Sequence, residues 1–375
     1  MKKIKIVYFV SGLKAGGVEQ MLINYCNRMN KDIFEFVIIY QHKPVQICLE
    51  RLMQIGCKTE RITARSENLL KNVKDTYHII KKYNPDIVHS NMNLMNFIPN
   101  VIAKCLGVKI RISHSHIAEK GKNVIYYLFK WICQKLIICS SNVFLSCGKE
   151  AGTYLHGNRV SSVIIHNAIE LDLFNEACNN ITRNAHLIGK TVIGHAGRFS
   201  LQKNHKKLID IFTAFKEKKS NAILLLAGTG ELEDSIKNYV KEMHLEKSVF
   251  FLGAVSNMKE FYANLDLFLL PSLFEGFPVV ALETQAAGVY SIFSDTIDPD
   301  VKITELINLM PISDTDKDWA DKMLYILNLK KEKTNKGEYL NQLRTAGYDI
   351  KYEALKLQDI YLQSIERFNI RKKDS

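Results

Sequence analysis

Short apolar runs alternate with amphipathic stretches along this chain, and the rhythm occurs twice. In the first half Ile4 to Val10, Phe36 to Tyr40, Asp86 to Ser90 and Lys109 to Ser113 read as buried strands, with shorter strands near Val143 to Ser146 and Val163 to Ile165. Val18 to Met29, Ile47 to Ile55, Asn68 to Lys82 and Phe97 to Leu106 carry apolar residues at helical spacing. Near-continuous apolar strands separated by helices predict a parallel, doubly wound α/β sheet. The segment NEACNNITRNAHLIGK that follows is polar and Asn-rich and reads as a linker. The alternation then restarts with strands at Val192 to His195, Ala222 to Ala227, Val249 to Leu252 and Leu267 to Leu270, and helices at Lys206 to Lys218, Leu232 to Met243 and Met258 to Asn264. Two such arrays predict two Rossmann-like domains, residues 1–175 and 176–345, facing a cleft that is the expected binding site, with amphipathic helix in 346–375.

Ligands of such sheets bind beyond the carboxyl ends of the strands. Gly12, Gly16, Gly17, His89, His114 and His116 fall at those ends in the first array. The loop SGLKAGG lacks G-x-G-x-x-G spacing, so it predicts a backbone approach to a phosphate or sugar, not a nicotinamide fingerprint. His114 and His116, at the end of one strand, are expected to point to opposite faces, one of them as a core histidine; His116, further out, is the site candidate. In the second array AGRFSLQKNHK carries Arg198 and Lys203 on a loop before a helix. A forked guanidinium and a compact ammonium together would neutralise a diphosphate, whereas either alone reads as a surface ion pair. AGTGE ends an apolar strand with Gly228 and Gly230, which either admit part of a nucleotide or make a turn.

The chemistry concentrates between Asp266 and Ser294. There a strand leads into a loop with Glu275 and Gly276, a helix opened by Pro278 with Glu283 inside it, and a second strand after Gly288. Unpaired N–H groups at the helix start suit a phosphate, and Gly276 lets backbone approach a ligand. Glu275 and Glu283 can each accept from neighbouring sugar hydroxyls. The stretch therefore suits a polyol attached to a phosphate.

Composition narrows the setting. With 375 residues, 47% hydrophobic and 24% charged, the chain is globular and too long for one ordinary core. Its first apolar run leads straight into the glycine loop and reads as a strand, not a signal peptide. Val124 to Cys139 is interrupted by Lys130, Gln134 and Lys135 and reads as an amphipathic helix, not a membrane span. Eight scattered cysteines without metal-ligand spacing read as reduced core residues of a cytosolic protein. The net charge of +12 gathers between Lys104 and Arg159, where nine basic residues including Arg111, Lys120, Lys122, Lys130 and Lys135 meet only Glu119 and Glu150. Interleaved Tyr126, Tyr127, Phe129 and Trp131 favour an anionic lipid surface over nucleic acid; a solvated face over core aromatics is the alternative.

The set GGVE, HSH after a first-domain strand, NAIELDLF, GR followed by QKN, AGTGEL and EGFPVVALE resembles glycosyltransferase family 4, from Lys5 to about Thr296. The resemblance implies the GT-B fold, with the last helix crossing back to the first domain through Tyr352, Leu355, Leu357, Ile360, Tyr361 and Ile365. It implies a retaining transferase of surface polysaccharide synthesis, moving a sugar from a nucleotide donor, expected to be UDP-linked, to a glycan or polyprenyl-diphosphate-linked acceptor. By resemblance, Arg198 and Lys203 bind the donor diphosphate, Glu283 holds the ribose, Glu275 contacts the donor sugar, and Gly276, Phe277 and Pro278 cradle it. His116 lies by the donor sugar, and Gly16 and Gly17 by the diphosphate. Val289 and Tyr290 stand where many relatives carry proline. No cofactor or metal is expected, the DPD at Asp298 to Asp300 lying beyond the site stretch. The expected location is cytoplasmic, peripheral on the inner face of the membrane. A sugar-nucleotide 2-epimerase and a non-catalytic partner subunit are the alternatives.

Overall fold

A computed structural model describes residues 3–13, 16–117, 123–174, 184–329 and 336–371. Its contacts divide the chain into two compact units, Met1–Ala168 with Ile350–Ser375, and Ile169–Asp349.

The first unit follows the alternation read from the sequence: β1 (Ile4–Val10), α1 (Gly17–Arg28), β2 (Phe34–Tyr40), α2 (Gln46–Gln54), β3 (Lys58–Arg61), α3 (Leu69–Tyr83), β4 (Ile87–Asn91), α4 (Phe97–Cys105), β5 (Ile110–Ser115), α5 (Val124–Ser140), β6 (Val143–Ser146), α6 (Lys149–His156) and β7 (Val163–Ile164). The strands pair in parallel in the order β3-β2-β1-β4-β5-β6-β7. Strand order reverses beside β1, which places the ends of β1 and β4 at the switch point where such sheets take ligands. Local signals set the helix limits: Asn68 caps α3 by accepting from Lys71 N, and Asn84, at φ 42°, ends it before Pro85.

The second unit comprises β8 (Thr191–Ala196), α7 (His205–Lys218), β9 (Ala222–Ala227), α8 (Glu233–Glu242), β10 (Val249–Gly253), α9 (Met258–Ala263), β11 (Leu267–Leu270), α10 (Val279–Ala286), β12 (Ser291–Ser294), β13 (Ile307–Met310), α11 (Asp316–Leu329) and α12 (Lys336–Thr345). Its parallel sheet runs β10-β9-β8-β11-β12-β13. β8, β9 and β11 are buried throughout, as strands covered by helices on both faces must be.

The last helix, α13 (Ile350–Arg371), joins the first unit's core through Ile350, Ala354, Leu357 and Tyr361, beside Tyr8, Tyr25 and Phe34. Ile360 and Ile365 pack partly buried against that core, whereas Tyr352 and Leu355 remain 66% and 56% exposed, against expectation. The buried positions recur at helical spacing, and residues 352 and 355 fall off that stripe.

α5 departs further from expectation. Only Cys133, Ile137 and Ser140 of this helix are buried, while Val124, Ile125, Tyr127, Leu128, Phe129, Trp131, Ile132 and Leu136 are exposed. Tyr127, Phe129 and Trp131 are therefore not core residues under a basic face, whereas Tyr126 packs partly buried against the cluster of Leu94, Cys133, Ile137, Tyr154 and Leu155. Several of the basic residues are engaged: Arg111 Nε donates to Ser140 O at 2.6 Å, Lys104 Nζ to Cys139 O at 2.7 Å, and the Lys130 ammonium lies 4.2 Å from the Tyr154 ring centroid. Lys120 and Lys122 lie outside the described residues. Among those described, no helix is long and apolar enough to cross a membrane. Cys26, Cys48, Cys57 and Cys133 are buried as expected, but Cys105 and Cys139 are on the surface.

Candidate active site

In the second unit the loops leaving β8, β9 and β11 are laced together. Gly197 N donates to Ala227 O at 2.9 Å, Phe199 N to Thr229 O at 3.1 Å, and Leu232 N to Phe199 O at 3.0 Å. Contact this close accounts for both glycines of AGTGE. Gly228 has φ +139°, and a Cβ there would lie 2.0 Å from Gly197 O; one on Gly230 would lie 2.5 Å from Phe199 O.

On its other side the β8 loop grips the stretch that follows β11. Leu273 N donates to Gln202 O at 2.8 Å and Gln202 Nε2 to Phe274 O at 2.9 Å. Next to these, Lys203 Nζ stands 2.6 Å from Glu275 Oε1, the two side chains only 15% and 11% exposed. Ser272 Oγ donates to the same carboxylate oxygen at 3.1 Å, and Ser272 O accepts from Ser294 Oγ at 2.6 Å and Thr296 Oγ1 at 2.7 Å. Two residues 72 apart in sequence, predicted for one site, are thus held as a nearly dry ion pair. Arg198 is separate: its Nη2 lies 2.9 Å from Glu231 Oε2, with both side chains about half exposed. Each of the two expected diphosphate cations is therefore held by a carboxylate.

His195, Phe199 and His205 lie near Lys203. His195 Nδ1 donates to Leu269 O at 2.9 Å, and the His205 ring stacks on Phe199 with centroids 4.1 Å apart. Burial holds His195 well below the usual histidine pKa of 6.5 and His205 at about 4, with the Lys203 charge a lesser cause in both. Sequence reasoning passed over both rings, since an isolated histidine in an apolar strand or helix carries no pattern.

Pro278, buried, is the N-cap of α10 with φ −72° and ψ 132°, so the unpaired N–H groups begin at Val279. Phe277 stacks on Tyr348, centroids 4.9 Å apart. Glu283 accepts from Tyr262 Oη at 2.7 Å; burial, then the Glu283 charge, lifts the Tyr262 hydroxyl well above 10. A Cβ on Gly276 would meet nothing within 4 Å, so the fold leaves room there. Asp298 accepts from Asp300 N at 2.9 Å, so within DPD one acid caps a 3-10 turn.

In the first unit, Gly16, at φ −127° and ψ 177°, is the N-cap of α1 with no side-chain cap, and Gly16 and Gly17 are exposed. Backbone N–H groups at that helix start are open to an anion. His114 and His116 do not point to opposite faces: their ring centroids are 4.1 Å apart. Residues two apart on a strand share a face, because the side-chain period is two. His116 Nε2 lies 2.8 Å from Asn91 Oδ1, and burial lowers its pKa to about 4.

A family model described as "Glycosyl transferases group 1" matches residues 179–343, and one described as "Glycosyltransferase Family 4" matches residues 15–173. EpsF of Bacillus subtilis (strain 168), named as a glycosyltransferase, is 28% identical over 378 residues, covering 97% of each chain. The Escherichia coli UDP-Gal:alpha-D-GlcNAc-diphosphoundecaprenol alpha-1,3-galactosyltransferase is 28% identical over 251 residues, 62% of this chain and 64% of its own. Anabaena HepE, crystallised with UDP, superposes with a TM-score of 0.77 at 16% identity, covering 96% of this chain and all of its own, a likeness of fold. The first of the two parallel Rossmann-like units is thus matched by the family 4 model and the second by the group 1 model, which gives the chain a glycosyltransferase domain in each half and the GT-B fold.

Proposed function

We propose that this enzyme transfers a sugar, with retention of configuration, from a UDP-sugar to a polyprenyl-diphosphate-linked acceptor in surface polysaccharide synthesis. The observation that carries this reading is the Lys203–Glu275 ion pair, set in a web of backbone bonds at the carboxyl edge of the second sheet. Rupture of the sugar–phosphate bond leaves negative charge on the departing diphosphate. Lys203, Arg198 and the N–H groups opening α10 are fixed cationic and dipolar groups that stabilise that charge with little reorganisation. Lys203 need only share its protons between Glu275 and the diphosphate. Because these groups meet the leaving charge, no metal is required in this reading.

Glu275 and the backbone of Gly276, Phe277 and Pro278 hold the donor sugar, Glu283 holds the ribose, and Gly228 and Gly230 keep the β9 loop against the β8 loop at the nucleotide. Gly16 and Gly17 meet the diphosphate, and His116 the sugar, in the first unit. Glu275, tied to Lys203, holds hydroxyls rather than attacking carbon, which favours front-face displacement over a covalent double displacement. The acceptor class follows the printed activity of the E. coli relative. The exposed apolar face of α5 favours peripheral attachment to the cytoplasmic side of the membrane, where such an acceptor would lie. The test is a donor panel with a lipid-linked acceptor: the product's anomeric proton coupling should match the donor's. Inversion would overturn the retaining mechanism.

A further inference from the structure

At the carboxyl edge of the first sheet one arginine stands without a counter-charge. Arg65 lies four residues beyond β3, in a turn where Glu67 N and Asn68 N both donate to Ala64 O at 3.0 Å. Its backbone is anchored. Arg65 N donates to Gln41 Oε1 at 3.3 Å, and Gln41, 1% exposed and directly after β2, sends Nε2 on to Met92 Sδ at 3.1 Å. Because β1 lies between β2 and β4, this buried amide reaches across the end of β1, at the switch point of the sheet. Met92 follows Asn91, whose Oδ1 lies 2.8 Å from His116 Nε2. Arg65 is thus tied through Gln41 to the edge that carries the site residue His116.

The fold treats its side chain unlike the neighbouring arginines. Arg61 Nε donates to Gln41 O at 3.1 Å, and its Nη2 lies 3.5 Å from Glu67 Oε1. Arg111, also partly buried, donates from Nε to Ser140 O and from Nη1 to Val108 O, both at 2.6 Å. Arg65 is half-buried with its Nη1 sealed from solvent, yet its side chain makes no hydrogen bond or ion pair among the described residues. Burial alone lowers its pKa, with no carboxylate contributing. A guanidinium nevertheless stays protonated in proteins, so a cation is buried here without an opposing charge. Such a stranded charge destabilises a fold. Buried polar groups are rarely left unpaired, and a ligand is one reason for an exception. An anion presenting two oxygens side by side would match the guanidinium fork.

We infer that Arg65 is a substrate-binding residue whose guanidinium receives the diphosphate of the polyprenyl-linked acceptor at the carboxyl edge of the first sheet. The identity of the anion rests on the transferase reading; the unpaired guanidinium does not. In that reading Lys203, Arg198, the N–H groups of α10 and the Gly16–Gly17 backbone already meet the donor diphosphate. A further cation in the first unit therefore serves the other substrate.

Arg65→Met in the full chain keeps a long stem and removes the charge. Without ligand, R65M should melt about 2–4 °C above wild type, because the stranded cation is gone. With UDP saturating, geranyl diphosphate should raise the melting temperature of wild type and bind R65M at least about tenfold more weakly, as for loss of one charged hydrogen bond. UDP itself should bind both proteins alike. In turnover the acceptor KM should rise about tenfold, with donor KM changed less than about twofold. An R65M that melts at or below the wild-type temperature, or does not fold, would show the guanidinium to be structural and overturn the inference. So would geranyl diphosphate binding that is absent from wild type or equal in the two proteins, or an unchanged acceptor KM. Loss of UDP affinity in R65M would assign the arginine to the donor's phosphates and overturn it as well. If wild type transfers no sugar from any donor, the transferase reading fails, while melting and geranyl diphosphate binding still decide whether Arg65 holds an anion.

Discussion

Replacing Lys203 by alanine leaves Glu275 a carboxylate 11% exposed, with Ser272 Oγ as its remaining partner among the bonds described. Breaking a fully buried pair costs about 3–5 kcal/mol, an exposed one under about 1 kcal/mol. With side chains 15% and 11% exposed and one hydroxyl retained, the cost here should be about 2 kcal/mol. In a domain of this size 1 kcal/mol corresponds to roughly 2–4 °C, so the transition should move down by about 4–8 °C. Glu275→Ala alone strands the lysine at similar cost, although its longer stem reaches water more easily. Removing both leaves no unpaired charge, so the double variant should recover about 1–2 kcal/mol relative to the sum of the single losses. Activity should behave differently: each single change should lower transfer about 10²–10³-fold, and the double variant should stay inactive despite its recovered stability. Thermal unfolding by circular dichroism and donor turnover on the four proteins close this cycle. Additive stability losses, or activity returning with stability, would refute the reasoning.

Transfer should survive EDTA, because protein cations meet the diphosphate charge; activity lost with EDTA and restored by magnesium or manganese would contradict this. Stability should fall on acidification. His116, His156 and His205 titrate at about 4 in the folded chain against 6.5 unfolded, so protons favour the unfolded state. The stability from keeping them neutral is complete above 6.5 and is lost as pH falls towards 4, at about 1.4 kcal/mol per unit for each histidine; a melting temperature unchanged between pH 7.5 and 5 would count against it. The protein should pellet with anionic vesicles, and changing Ile125, Leu128 and Ile132, on one stripe of α5, to serine should weaken binding more than tenfold, each losing about 1 kcal/mol of apolar burial. Lys135→Glu should weaken it less; indifference to the serine changes would show that the apolar face does not meet lipid.

The alternation of strand and helix was legible because fully buried parallel strands read as apolar runs, as at β9 and β11. Elements without that signature were missed. β3, KTER, is an edge strand with exposed ends and no apolar run, and β13 is a four-residue strand behind a turn-rich segment. α6 and α12 begin among Gly, Lys and Glu without a long apolar stripe. In the site, the sequence singled out Lys203 and Glu275 separately, but their pairing depends on parallel strands bringing two loops together, which spacing along the chain does not encode. Gly228 and Gly230 were ambiguous because a ligand and a neighbouring backbone ask the same thing of a glycine; Gly197 O and Phe199 O account for both. α5 was legible as a helix, but which of its residues face inward was not: burial selects Cys133, Ile137 and Ser140 and leaves the apolar majority outside.

The central claim is that the web around Lys203 and Glu275 handles the diphosphate of a sugar nucleotide. The most direct measurement is acceptor-dependent release of nucleoside diphosphate across a panel of sugar nucleotides, made on wild type, Lys203→Ala and Glu275→Ala, each first checked for folding. The account predicts release from a UDP-sugar by wild type and a loss of about 10²–10³-fold in both folded variants. Release of UDP at the wild-type rate by both variants would contradict it.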